Sequence, residues 1–322
     1  HGLSRASPPT NTYVPIGICF LGDGLAGVVC VLRKDAMLEL THETFQLIDH
    51  ALTEDLVDQD ITTGILITSD QQAEGILVAK MEGTLAGITV ACAVFARVDP
   101  TLQIQPSRDD GSPLSPGQHI ARIQGAVGGI LRAERTALNF LQRMSGIATA
   151  TNEIVKAIED LPAQVLDTRK TLPGWRLLDK YAVRMGGGHN HRMSTADGIL
   201  IKDNHVAAAV TRGENLTDLV RRAKATAPHT IRVEVECDTL EQVQEALEAG
   251  AELILFDNMT NEQMAEGVGL CKGRAFTEAS GGITIASVRG IAETGVDLIS
   301  SGALTHSVKA LDISLEVRPT GD

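Results

Sequence analysis

Seven Lys or Arg residues fall between Thr168 and His205: Arg169, Lys170, Arg176, Lys180, Arg184, Arg192 and Lys202. Only three acids, Asp179, Asp197 and Asp203, lie among them, so the stretch is cationic inside a chain of net charge −13. Gly186-Gly187-Gly188 interrupts it, with His189 and His191 just beyond. Arg offers a planar fork and Lys a point charge, both matched to carboxylate or phosphate. The stretch therefore reads as an anion pocket. Arg176, Lys180 and Arg184 recur at i, i+4 and i+8, and for these three a solvated helix face is the simpler reading. Arg169, Lys170, Arg192 and Lys202 lie beside strand ends or glycines and are the candidates for anion contact.

Negative charge and flexible backbone follow downstream. Glu236 and Asp257 each close a short apolar run, and their carboxylates suit a divalent cation shared with substrate oxygens, or ribose hydroxyls. They do not suit a glycosidase pair, because surrounding cations would lower both carboxyls and leave no general acid. Ser280-Gly281-Gly282 and Ser301-Gly302 end the last two runs, where glycine-rich loops of barrels reach phosphate through backbone N–H groups. No GxSxG, HExxH or Walker-type loop occurs. The residues are equipped to bind anions and stabilise charge without a protein nucleophile.

The elements that must position these residues are legible from rhythm. Apolar runs close at Asp167, Lys202, Glu236, Asp257, Ser280 and Gly302, with helical stretches between them. The steps Glu236 to Asp257, Asp257 to Glu278 and Glu278 to Ser300 are 21, 21 and 22 residues, the length of a strand, a loop and a helix. In a parallel α/β barrel all strand C-termini share one face, so these residues should converge with Arg169 and Lys170. Upstream, Thr41 to Glu54 predicts an N-capped helix with Phe45, Ile48 and Leu52 on one face. Glu54 to Gly64 predicts a turn, and Gly75–Lys80 with Thr84–Ile88 predicts a hairpin around Glu82-Gly83. Ser107–Gly117 predicts a loop, and Arg135–Ile158 a long helix or a helix pair. The expected organisation is an N-terminal extension over 1–37, poorly ordered, then a small α+β domain over 38–138 to which 310–322 returns. An incomplete parallel α/β barrel over 139–309 completes it.

Composition narrows the class. At 322 residues, 43% hydrophobic and 21% charged, the chain can fill a substantial core in two domains or one large barrel. The acidic balance speaks against a general nucleic-acid binder. Five scattered cysteines, Cys19, Cys30, Cys92, Cys237 and Cys271, never form a CxxC and read as reduced packing residues of a cytoplasmic protein. Val14 to Leu32 has the length of a membrane span but holds Pro15, Asp23 and four glycines, so a poorly structured extension without membrane association is expected, with an anchor or targeting segment as the alternative.

With these pieces in order, RTALNFLQRMSGIAT, DTRKTLPGWR, KYAVRMGGGHNHR, DGILIKDNH, EVEC, LFDN, EASGGIT and SSGALTH resemble the quinolinate phosphoribosyltransferase family, the carboxylating nicotinate-nucleotide diphosphorylases. The resemblance runs from about residue 38 to about residue 318. Gln59 departs from it, standing where the family has Gly, and residues 1–35 have no counterpart in it. The resemblance implies transfer of phosphoribosyl from phosphoribosyl pyrophosphate to quinolinate with loss of CO2, giving nicotinate mononucleotide and pyrophosphate for NAD biosynthesis, with Mg2+. It assigns Arg135, Arg169, His191, Arg192 and Lys202 to quinolinate. It assigns Lys170, Glu236, Asp257, Ser280, Gly281, Gly282, Ser301 and Gly302 to phosphoribosyl pyrophosphate, with Lys170, Lys202, Glu236 and Asp257 carrying the chemistry and Glu236 and Asp257 meeting the metal. It implies a homodimer or higher oligomer with shared sites, Arg135 arriving from the neighbouring subunit, at the start of a helix whose dipole already favours an anion. Three alternatives remain from the residues: a related phosphoribosyltransferase for another pyridine or base, a Schiff-base lyase using Lys202, and a non-catalytic phosphate-sensing barrel.

Overall fold

A computed structural model describes residues 38–320, together with two short antiparallel strands upstream, β1 (Val14–Gly17) and β2 (Val29–Leu32). The expectation of poor order over 1–37 otherwise falls outside the described residues. The chain divides into two compact units: one ends at Ser145 and resumes at Leu311, and the other spans Gly146–Ala310.

In the first unit α1 (His42–Glu54) begins at its expected cap, the Thr41 hydroxyl accepting from Thr44 N–H at 3.3 Å. The predicted turn that follows is instead a short 3-10 turn, Val57–Gln59, and a helix, α2 (Ile61–Leu66). Its cap is Asp60, which accepts from Thr63 N–H at 3.0 Å; the polar run concealed a helix start. β3 (Gln72–Ala79), β4 (Gly83–Thr84), α3 (Ile88–Val98), β5 (Gln103–Pro106), β6 (Pro113–Leu114) and β7 (His119–Ala126) follow. The predicted hairpin is absent. β4 pairs with β6, inside the expected 107–117 loop, and Ile88 opens a helix. Gly87, at φ 97°, turns the chain there, and α3 is buried on nearly every side, so its apolar run shows no helical stripe.

α4 (Val127–Ala157) is one 31-residue helix that crosses the boundary between the units. It starts eight residues before Arg135, so Arg135 sits more than two turns from the helix N-terminus, and the helix-dipole argument for it does not hold.

The second unit repeats strand and helix: β8 (Gln164–Leu166), α5 (Arg176–Met185), β9 (Ile199–Ile201), α6 (Asp203–Val210), α7 (Leu216–Thr226), β10 (Val233–Cys237), α8 (Leu240–Ala249), β11 (Leu253–Asp257), α9 (Asn261–Cys271), β12 (Phe276–Ser280), α10 (Val288–Ala292), β13 (Leu298–Ser300) and α11 (Ala303–His306). The chain then returns to the first unit as β14 (Ile313–Pro319), completing an antiparallel sheet in the order β14-β3-β7-β5.

The six strands of the second unit are all parallel, in the order β8-β13-β12-β11-β10-β9. The first strand lies beside the last, as in a barrel, while β8 and β9 are not hydrogen-bonded to each other. The result is the incomplete α/β barrel expected. The open edge of β8 is met by the loop after α5: His189 N–H donates to Val165 C=O at 2.8 Å and Asp167 N–H to His189 C=O at 3.2 Å. The triple glycine lets that loop pass close to α4. A Cβ on Gly186 would lie 2.6 Å from Thr151 Cβ, and one on Gly188 2.8 Å from Thr151 Cγ2. These glycines serve packing that delivers the following residues to the barrel rim.

Candidate active site

Period-two alternation aims Glu234 and Glu236 to one face of β10, Leu255 and Asp257 to one face of β11, and Glu278 and Ser280 to one face of β12. At the C-terminal ends of these strands lies a cavity of about 370 Å³. Arg169, Lys170, His191, Arg192, Lys202, Glu236, Asp257 and Ser280 all line it, together with Thr168, Leu200, Leu255, Glu278 and Ser300. Eight residues singled out in the sequence are thus brought together from the ends of five strands and the loop after α5.

The others lie elsewhere. Arg135 is exposed on α4 in the first unit. Gly281, Gly282, Ser301 and Gly302 do not line the cavity. Ser301 is buried and its N–H is taken by Leu166 C=O at 3.0 Å, which removes that group from phosphate contact. Gly302 acts on the site indirectly, since a Cβ there would lie 2.7 Å from Lys170 Cδ. Gly281 and Gly282 have φ of 93° and 60°, the conformation that turns the chain beyond β12.

The predicted solvated face of α5 is a correction. Lys180 is 1% exposed, and its ammonium is paired with the fully buried Asp167 carboxylate at the end of β8. Arg176 is partly buried and donates to Met193 C=O at 3.2 Å; only Arg184 faces out, over the Tyr181 ring. Asp167, expected at the rim, lies beneath it and accepts from Asn190 Nδ2 at 2.5 Å and His191 N–H at 2.9 Å. Lys180 also donates to His191 C=O at 2.9 Å. Burial pushes the Asp167 carboxyl up and the Lys180 ammonium down, each partly opposed by the other's charge. This knot fixes the segment that carries His191 and Arg192.

Among the described residues, Arg169, Lys170 and Arg192 form no ion pair. Burial and the nearby charge of Arg169 hold the Arg192 guanidinium below its ordinary value, and its Nη1 donates to Gly198 C=O at 2.9 Å. Two like charges beside one cavity suit an anion. Lys202 is paired with Glu236, a partnership that suits charge balance better than free-amine chemistry.

His191 turns its ring away from bulk water. Its Nδ1 accepts from Arg192 N–H at 2.7 Å, which leaves the ring proton of the neutral form on Nε2. Nε2 lies 3.5 Å from Glu234 Oε2 and 3.6 Å from Glu278 Oε2. Burial pushes His191 down, but the hydrogen bond to Glu234 and the charges of both acids raise it overall. These three groups bring ligand atoms within 4.8 Å of one another. The tautomer makes them a hydrogen-bonded cluster. For a hard cation the all-oxygen pair Glu236 and Asp257 is the better donor set. Sequence reasoning missed Glu278, Thr168 and Ser300 as cavity residues, although the parity of Ser280 implies that Glu278 also faces inward.

The cysteines in the described residues, Cys92, Cys237 and Cys271, are buried and form no disulfide; burial pushes the Cys237 thiol up to about 12 and Cys271 to about 11. Among the described residues no helix is long and apolar enough to cross a membrane.

Comparison with known proteins follows the same two units. The family described as quinolinate phosphoribosyl transferase, C-terminal domain, matches residues 147–316, and its N-terminal domain matches residues 60–145. A probable nicotinate-nucleotide pyrophosphorylase [carboxylating] of Bacillus subtilis is 43% identical over 272 residues, 84% of this chain and 92% of that protein. A quinolinate phosphoribosyltransferase [decarboxylating] of Nicotiana tabacum is 43% identical over 98% of this chain and 96% of its own. The crystal structure of NadC from Streptococcus pyogenes superposes with a TM-score of 0.83 at 39% identity, covering 88% of this chain and all of that one.

The buried knot yields a stability test. Asp167→Ala leaves the Lys180 charge buried without its partner and should cost about 3–5 kcal/mol. The double replacement Asp167→Asn with Lys180→Met removes both charges and should regain more than half of that loss. Urea unfolding of the three proteins checks it; equal losses in single and double variants would show that the charges are not coupled.

Proposed function

This chain belongs to the quinolinate phosphoribosyltransferase family, and we propose that the cavity of its second unit transfers phosphoribosyl from phosphoribosyl pyrophosphate to quinolinate, releasing pyrophosphate and CO2 and leaving nicotinate mononucleotide. One observation carries the assignment. Arg169, Lys170 and Arg192, none of them ion-paired among the described residues, line a cavity whose other walls present Glu236 and Asp257.

Quinolinate is a dicarboxylate, and Arg169, Arg192 and Lys202 receive its two carboxylates, with His191 fixing the Arg192 backbone between them. Lys170 and Ser280 meet the phosphate groups, with Lys170 balancing the pyrophosphate as it departs. Glu236 and Asp257 sit beside the sugar, where they oppose the positive charge that develops on it. Their oxygens are also the ones that would hold Mg2+, which when bound neutralises charge on the pyrophosphate. The ring nitrogen of quinolinate attacks the ribose carbon, so no protein nucleophile is needed. Loss of CO2 from the carbon beside that nitrogen leaves an electron pair stabilised by the adjacent pyridinium. The protein contributes position and electrostatics.

Arg135 completes the quinolinate pocket from a second copy of the chain, as the family resemblance implies, and the active form is then a dimer or a larger assembly.

Two outcomes follow. Quinolinate should be preferred over nicotinate by at least about 100-fold in kcat/KM, because a missing carboxylate leaves desolvated cations unpaired. A steady-state assay with phosphoribosyl pyrophosphate and Mg2+ measures this, and equal turnover would point to another pyridine as substrate. For the shared site, Arg135→Ala and Lys170→Ala proteins, each nearly inactive, should on mixing recover activity towards about a quarter of wild type, since half of randomly exchanged dimers regain one intact site. No recovery, with subunit exchange shown independently, would place Arg135 outside the partner's site.

A further inference from the structure

The carbon that loses CO2 must gain a proton before the product can leave. His191 directs its Nε2 proton to Glu234 and Glu278, and none of the other groups assigned above supplies it. Arg169 and Arg192 are guanidiniums, which keep their protons at any working pH. Lys202 is held by Glu236, and Lys170 packs along Gly302.

Glu278 has the placement that the others lack. It is 1% exposed, yet it lines the site cavity beside Leu255 and Ser300. It also lines a second cavity of about 540 Å³, bordered by Gln164 and Leu166 of β8 and Ile199 of β9, the two edge strands of the open barrel. Only His191, Arg192 and Glu278 belong to both cavities. Glu278 Oε1 is buried without a hydrogen-bond partner, while Oε2 faces His191 Nε2 at 3.6 Å. The groups that face this carboxyl are His191 after α5, Glu234 on β10, Lys202 at the end of β9 and Ser300 on β13. An orphaned oxygen in a wall between substrate and water is where a transferable proton would sit.

We propose that Glu278 is the acid that protonates the ring carbon vacated by CO2, and that it is recharged from the second cavity through the open seam of the barrel. This rests on the reaction assigned in the preceding subsection. The carbon–carboxylate bond breaks and its electron pair stays on the ring carbon as CO2 departs. As CO2 departs, the Glu278 O–H bond breaks and its proton forms the new C–H bond before CO2 can return to the ring carbon, so the rate of CO2 release depends on the acid; the carboxylate left behind takes a proton from water. Burial, together with the charge of Glu234, pushes Glu278 up to about 7, so that it holds a proton near neutral pH.

The test is a single turnover that follows two products: pyrophosphate, and CO2 from quinolinate labelled in the departing carboxylate. Glu278→Gln keeps the shape and removes the acid. Its pyrophosphate burst should stay within about threefold of wild type while CO2 formation slows by about 10²–10⁴-fold, the usual contribution of a positioned acid. Glu278→Asp should restore part of the CO2 rate. The fold has its own readout. A carboxyl raised from 4.5 to about 7 contributes stability that is complete below about pH 4.5 and lost as the pH rises to about 7. The Gln variant should therefore melt no lower than wild type at about pH 8. Pyrophosphate and CO2 rising and falling together across the wild-type, Gln and Asp proteins would overturn the assignment. A wild-type protein that releases no pyrophosphate would overturn the reaction itself.

Discussion

A carboxylate buried at the end of the first barrel strand, paired with a lysine buried in the helix that follows, governs the geometry of the site. Asp167 and Lys180 are both almost inaccessible, and between them they bind Asn190, the His191 N–H and the His191 C=O. Buried pairs of this kind add little net stability, because desolvation consumes most of the attraction. What this one fixes is a path. The barrel is open between β8 and β9, and a loop at an open edge would otherwise have few partners. The pair, the His189 bridge to β8 and the close passage of Gly186 and Gly188 against α4 hold that loop in one course. Arg192 and His191 reach the cavity as a consequence.

The same constraint explains how an acidic protein keeps an anion site. The cations that stabilise the interior are consumed by acids, as Lys180 is by Asp167. Among the described cations without a carboxylate partner, Arg169, Lys170 and Arg192 lie at the rim, where the strand ends place Glu236 and Asp257 opposite them. Charge of both signs beside one cavity suits a substrate pair that is anionic at two ends and becomes cationic in the middle. Beneath it the interior turns acidic through Glu234 and Glu278, and the open seam gives that acidic layer a route to water.

Much of this was legible in the sequence, for identifiable reasons. The 21-residue rhythm exposed the strand ends because a buried parallel strand is apolar until it emerges. α5 was legible as a helix, yet its cationic spacing misled: i, i+4, i+8 tells which residues share a face but not whether that face is covered. The sign that Lys180 goes inside was Asp167, a charge ending an apolar strand thirteen residues earlier. Ile88, expected to end a strand, instead opens α3, because a helix buried on all sides has no polar stripe to announce it. Glu278 entered only as a spacing mark, and Ser301 was read as a phosphate contact because sequence does not reveal that its N–H is already bound to β8.

The central claim is that Arg169 and Arg192, at the cavity of the second unit, are carboxylate receptors. Calorimetric titration of quinolinate into the wild-type protein and into Arg169→Gln and Arg192→Gln variants tests it without requiring turnover. Each variant should bind quinolinate at least about 10-fold more weakly, a loss of about 1.4 kcal/mol or more, with no change in melting temperature. Quinolinate affinity unchanged in both variants would contradict the account, because the dicarboxylate would then be held somewhere other than this cavity.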